Sequence, residues 1–273
     1  MSHFPANPLL DDAPPNSQFG VPIITCSTVG LLHQRELWEA TGAILLVDKP
    51  QTWTSFDVVA KTRGMLKIKK VGHTGTLDPM ATGLLAICLG KATRLADHIQ
   101  AEEKEYTGTI LFGAETDSDD ADGTVTHTFP TAHLTEPLIR EAAGRMIGEQ
   151  LQTPPSFSAR KIGGQRMYKL ARKGVAVQAP PRSITVREFQ ITGVNLPETE
   201  FRIVCSKGTY IRALARDLGR GLESGAHLTA LRRTRSGSFL VGDALAMEEL
   251  LAQLTQSQAE PALTPNPSPD SLR

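Results

Sequence analysis

The chain has 273 residues, with 29 Lys and Arg against 29 Asp and Glu, 40% hydrophobic residues and three cysteines. Such a length supports one large domain or two modest ones around a buried core, and a net charge of zero excludes any partner argued from overall charge. Cys26, Cys88 and Cys205 lack the spacing of a disulfide framework or zinc site, and no run reaches the roughly 18 apolar residues of a membrane span, so a cytoplasmic protein is expected.

Residues 1–40 open with Pro- and Asp-containing sequence and read as a flexible extension ending in a short helix over 31–40. An apolar strand is predicted over 43–47. Thr54 and Asp57 have capping-box spacing, and Val58, Val59, Thr62, Met65 and Leu66 then share one helical face. The basic run Lys67-Ile-Lys-Lys70 leads into a Gly-rich loop and a strand over 84–89. A helix is expected over 92–100 and a strand over 104–112, with Tyr106, Gly108, Ile110 and Phe112 on one face. The segment 115–122 holds five acids and no base, and reads as a polar hairpin connection. A helix over 136–147, an extended segment over 153–161 ending in a Gly163-Gly164 turn, and a short basic helix over 166–173 follow. Strands over 184–192 and 200–205 alternate in the antiparallel manner, a helix spans 211–222, and 226–235 combines an apolar face with three arginines. This pattern predicts an α+β fold with a largely antiparallel sheet. It divides into a catalytic domain over 41–240, a short helical segment over 241–256 and a disordered tail over 257–273.

Charge is distributed unevenly. Residues 158–240 carry 16 Lys and Arg against 5 Asp and Glu, the footprint expected of a polyanion-binding face such as one for nucleic acid. One stretch stands apart, Gly72-His-Thr-Gly-Thr-Leu-Asp-Pro-Met-Ala-Thr-Gly83, where glycines and a proline shape the backbone around a single carboxylate, Asp78. Its plain reading is a turn-capping acid in a surface loop. No second acid lies in a comparable loop to make a glycosidase pair, and neither a P-loop nor GxGxxG occurs. Asp120-Ala-Asp-Gly-Thr124 resembles the Asp-nucleophile motif of haloacid-dehalogenase-type phosphatases but lacks the preceding hydrophobic strand, and an EF-hand register would put Phe129 at its twelfth position. A lone nucleophilic Asp remains, one that must be ionised and that a neighbouring arginine would favour.

The same string closely resembles the catalytic loop of the TruB-type tRNA pseudouridine-55 synthases. Matching blocks recur in family order: Leu46-Val-Asp-Lys-Pro50, Lys104-Glu-Tyr106, Thr116-Asp-Ser-Asp-Asp-Ala-Asp-Gly123, Ser206-Lys-Gly-Thr-Tyr-Ile-Arg212 and Gly225-Ala-His-Leu-Thr-Ala-Leu-Arg-Arg233. The resemblance implies a pseudouridine-synthase-like fold and an isomerase that breaks the N1–C1′ bond of a uridine, rotates the base and rejoins it through C5. It implies neither cofactor nor metal. By this likeness Asp78 is the nucleophile, with attack at C1′, a glycal route and addition at C6 all open to it. Arg212 pairs with Asp78, Tyr106 stacks on the target base, Tyr210 and Leu231 line the uridine pocket, and His73 fills the space that flipped bases vacate. Lys67, Lys69, Lys70, Arg160, Lys161, Arg166, Lys169, Arg232 and Arg233 are the candidates for RNA phosphates. The implied substrate is the T-arm stem-loop of tRNA, handled by a monomer with no membrane and no obligate protein partner.

Two departures stand out. The family commonly has Gly two residues after Lys-Pro, where this chain has Thr52, and many bacterial members carry a C-terminal PUA-type domain that the segment after Leu240 is too short to form. The rival reading is a non-catalytic RNA-binding or tRNA-folding protein, which would use the basic face and have no need of Asp78.

Overall fold

Unbroken apolar runs such as 43–47 and 84–89 are stable as strands only if both faces are covered. The computed structural model describes residues 19–155, 157, 161–162, 165–166 and 179–259, and it covers both. The strands are β1 (Ile23–Ile24), β2 (Ala43–Lys49), β3 (Val71–His73), β4 (Thr82–Leu89), β5 (Lys104–Phe112), β6 (Ala114–Thr116), β7 (Val125–Thr128), β8 (Gly148–Gln152), β9 (Lys161–Ile162), β10 (Gln165–Arg166), β11 (Arg182–Asn195), β12 (Glu198–Cys205), β13 (Ala226–Ser236), β14 (Phe239–Leu240) and β15 (Leu245–Ala246). The α-helices are α1 (Arg35–Thr41), α2 (Ser55–Leu66), α3 (Ala96–Ala101), α4 (Glu136–Arg145), α5 (Ile211–Gly221) and α6 (Met247–Ala259).

The main sheet runs β1-β2-β4-β13-β5-β12-β11-β8, with β3 on β4, β14 on β13 and β15 on β2. Its pairs are antiparallel except β1–β2, β4–β13 and β15–β2, so the expected α+β fold with a largely antiparallel sheet is what forms. Along β2 and β4 the two side-chain rows enter different cores. Leu45, Val47, Leu85, Ile87 and Leu89 join the larger core with residues of α2 and α5, while Ile44, Leu46, Leu84, Ala86 and Cys88 join a smaller one with Ile99 and Phe239. β4 can lie beside β13 because residue 83 is glycine: at φ +101°, a Cβ there would sit 2.3 Å from the Arg233 carbonyl oxygen.

Several expectations need correction. Residues 19–40 are no flexible extension: Ile24 pairs into the sheet beside Leu45, and Leu32 and Trp38 are buried in the core. Apolar residues between the prolines decide this, and composition alone hid them. Residues 90–95 form a 3-10 turn before α3, and 226–235, expected to combine an apolar face with three arginines, is a strand in the middle of the sheet. Of the expected helix over 166–173 only Arg166 is described, and it lies in β10; residues 257–259 extend α6, and 260–273 lie outside the described residues.

Candidate active site

The Asp78 loop is held mainly by neutral hydrogen bonds. α2 starts where the capping box was expected, with the Asp57 amide donating to Thr54 Oγ1 at 3.1 Å and the Thr54 amide to Asp57 Oδ2 at 2.8 Å. This aims the buried Ser55 at the loop, where its hydroxyl donates to the Leu77 carbonyl (3.1 Å) and accepts from the Leu77 amide (2.8 Å). On the other flank the Thr52 amide donates to the Pro79 carbonyl at 2.8 Å. Thr52 does this at φ +72°, a left-handed conformation unusual for a β-branched residue. Lys49, fully buried, donates from Nζ to the carbonyls of Pro50 and Trp53 at 2.8 and 2.7 Å, and burial pushes its ammonium down to about 8.

Arg212 approaches from α5. Its Nε lies 2.9 Å from Asp78 Oδ2, its Nη1 lies 3.2 Å from Asp120 Oδ2 and donates to the Ser118 carbonyl at 2.7 Å, and its Nη2 donates to the Phe157 carbonyl at 2.9 Å. Four residues along, Arg216 meets Asp119 at 2.8 Å, and four further Arg220 meets both Glu115 oxygens at 2.7 and 2.8 Å. Arginines at 212, 216 and 220 stand on one face of a helix with 3.6 residues per turn, so the acidic β6–β7 hairpin and α5 close along a row of three ion pairs. Asp119 and Asp120 are buried, and burial pushes the Asp119 carboxyl up to about 6 in spite of Arg216. The expected polar connection is thus an interior brace for Arg212.

Between the two flanks lies a cleft of about 730 Å³, lined by Asp78, Tyr106, Tyr210, Arg212, Leu231 and Arg233 among others. Asp78 remains partly open to it, with 34% of its side-chain area exposed. Tyr106, on β5, is buried, which raises its phenol above the ordinary range and keeps it neutral, with the Arg233 charge beside it partly opposing that rise. The Tyr210 backbone is clamped by Gln152, which accepts from its amide at 2.8 Å and donates to its carbonyl at 3.0 Å. Such an arrangement offers one ionic oxygen, an aromatic platform and fixed cations to a planar ligand. Among the described residues no group of His, Cys, Asp and Glu is placed to hold a metal ion.

Five sequence candidates, Asp78, Tyr106, Tyr210, Arg212 and Leu231, therefore line one cleft. His73 does not line it; it ends β3, accepts from the Gly75 amide on Nδ1 at 3.2 Å, and burial lowers its pKa so that the ring is neutral. Lys67, Lys69 and Lys70 are exposed beyond α2. Arg233 is no surface cation: it is 2% exposed and donates to the carbonyls of Leu84 (2.7 Å) and Gly75 (3.3 Å), because its strand is central. Arg232 is engaged by both oxygens of Asp48 at 3.0 and 2.6 Å. Arg160 and Lys169 lie outside the described residues, and for Lys161 and Arg166 only the β9–β10 backbone is described. Sequence reasoning missed the roles of Lys49, Asp119, Asp120 and Arg233. The signal for the acids was present as their charge against the arginine spacing of α5.

With this geometry, the comparisons with known proteins agree on one family. Residues 63–211 match the family described as TruB family pseudouridylate synthase (N terminal domain), and residues 212–266 match the tRNA pseudouridylate synthase B C-terminal domain. The chain is 50% identical over 209 residues to tRNA pseudouridine synthase B of Opitutus terrae, covering 77% of this chain and 87% of that protein. It is 49% identical over 211 residues to the protein of the same name from Flavobacterium johnsoniae, covering 75% and 92%. Among solved structures, an H/ACA RNP bound to a substrate RNA containing 2'-deoxyuridine aligns with TM-score 0.59 and 27% identity, over 80% of this chain and 54% of that one, so the chain spans about half of that relative's length.

Proposed function

The chain belongs to the TruB family of pseudouridylate synthases, and from that premise we propose that it converts uridine to pseudouridine at position 55 in the T-loop of tRNA, with Asp78 as nucleophile. The observation that carries this reading is the Asp78–Arg212 pair at 2.9 Å on the wall of a cleft whose volume suits a small ligand. Arg212 holds one carboxylate oxygen of a side chain that stays partly exposed in the cleft. The target base lies within a folded RNA arm, so it has to be extruded, at a cost of a few kcal/mol of stacking and pairing. Tyr106 then stacks on the base, Leu231 and Tyr210 enclose it, and Asp78 brings about breakage of the N1–C1′ bond, by attack at C1′, a glycal route or addition at C6. The freed uracil turns within the cleft and rejoins the sugar through C5, any bond made to Asp78 is released, and the proton lost from C5 is matched by one taken up at N1, so that the change is a net isomerisation. The exposed Lys67, Lys69 and Lys70 meet phosphates of the arm and make binding salt-dependent.

The test is to incubate the purified protein with unmodified tRNA and map pseudouridine at single-nucleotide resolution. Conversion is expected at the T-loop uridine and lost when that uridine alone is replaced. Modification elsewhere in the transcript, with position 55 untouched, would overturn the substrate assignment.

A further inference from the structure

Five cations line the cleft: Lys104, Arg182, Lys207, Arg212 and Arg233. Three of them are engaged by the protein itself. Arg212 holds Asp78 and Asp120, Arg233 holds the carbonyls of Leu84 and Gly75, and Lys104 donates to the carbonyls of Gln100 and Glu102 at 2.7 and 2.6 Å. Arg182 and Lys207 have no carboxylate within ion-pair distance among the described residues, in contrast to the paired arginines of α5.

Although unpaired, Arg182 is not free to wander. It opens β11, and its guanidinium carbon lies 5.8 Å from the centroid of the Tyr210 ring, a cation–π contact that orients the planar group. Beneath it is Gly208, at φ +75°, where an added Cβ would fall 1.4 Å from Arg182 Nη2, so the absence of a side chain makes the seat for the guanidinium. Tyr210 is itself fixed by the two Gln152 hydrogen bonds. The result is a pre-oriented fork of N–H donors in the cleft that holds Asp78, with a second cation, Lys207, one residue before the glycine. A guanidinium of this kind matches the geometry of a phosphate, and pre-orientation removes part of the entropy lost on binding.

We propose that Arg182, assisted by Lys207, binds a phosphodiester adjoining the extruded uridine. The inference rests on the reading of Asp78 as the site of uridine isomerisation and adds to it a grip on the backbone of the reacting nucleotide. Base stacking at one end and a phosphate contact at the other hold the sugar between them and limit its movement relative to Asp78. Arg182 is in this sense a positioning residue.

The experiment uses T-arm stem-loops carrying an uncharged methylphosphonate at the linkage either 5′ or 3′ to the target uridine, with binding and pseudouridine formation measured in parallel on the full chain. Wild type should lose about 10-fold in affinity at one of the two linkages. Arg182→Ala should bind native RNA about 10-fold more weakly, with the loss falling on KM more than on kcat, and should be indifferent to the neutral linkage. Lys207→Ala, an exposed change that leaves the fold alone, should show a smaller loss at the same linkage. Equal methylphosphonate losses in wild type and Arg182→Ala, or no loss in wild type at either linkage, would overturn the proposal. A wild type that binds native RNA and forms no pseudouridine would overturn the isomerase reading instead, and this inference with it.

Discussion

The two flanks of the cleft are braced in opposite ways. Asp78 sits in a loop fixed mainly by neutral contacts, with Ser55 on Leu77 and Thr52 on Pro79. Arg212 sits on a helix fixed by charges, through Asp120, Asp119 and Glu115 from the β6–β7 hairpin. The difference follows from what each group has to do. A carboxylate surrounded by strong donors would be a poor nucleophile, whereas a guanidinium has donors to spare and can be anchored by several acceptors while offering Nε to Asp78.

That contrast can be broken in graded steps. Asp78→Asn should lower pseudouridine formation on the order of 10³-fold or more while RNA binding persists, and substantial residual turnover would remove Asp78 from the chemistry. Asp120→Ala strips the charged flank of one buried partner and should cost about 3–5 kcal/mol of stability, read by denaturant unfolding, together with a fall in activity. Asp119 tests burial by pH. Its carboxyl titrates near 6 in the fold against an ordinary 3.8, so its contribution to stability is complete below 3.8 and is lost as pH rises through 6. Asp119→Asn should flatten that part of the stability–pH curve by roughly 2–3 kcal/mol, and an unchanged slope would contradict the buried setting. On the neutral flank Ser55→Ala leaves both Leu77 groups without their partner and should cost about 2 kcal/mol. Thr52→Gly, the smallest change, relieves a left-handed β-branched residue and should stabilise by about 1 kcal/mol with activity retained.

How far the site was legible depends on which interactions are local. The α2 capping box, the apolar strands and the glycine-shaped loop around Asp78 are written within a dozen residues and were read correctly. The acids at 115–120 read as a polar hairpin connection, and the hairpin forms, but their burial was hidden because their partners lie 105, 97 and 92 positions downstream, at Arg220, Arg216 and Arg212. Arg233 looked like a surface cation for the same reason, since only the pairing of β13 with β4 and β5 shows that its strand is central. Thr52 was visible as a departure from the family pattern, yet its positive φ is a property of the folded turn.

The row of arginines on α5 also works as a key for helix register. Its teeth are evenly spaced, four residues apart, while the matching acids stand at 115, 119 and 120, an uneven comb. Sliding the helix by one turn, about 5.4 Å, would bring guanidiniums near carboxylates again but leave a buried acid, Glu115 or Asp120, unmatched at one end of the comb. Only one alignment satisfies all three pairs, and in that alignment the first tooth, Arg212, also meets Asp78.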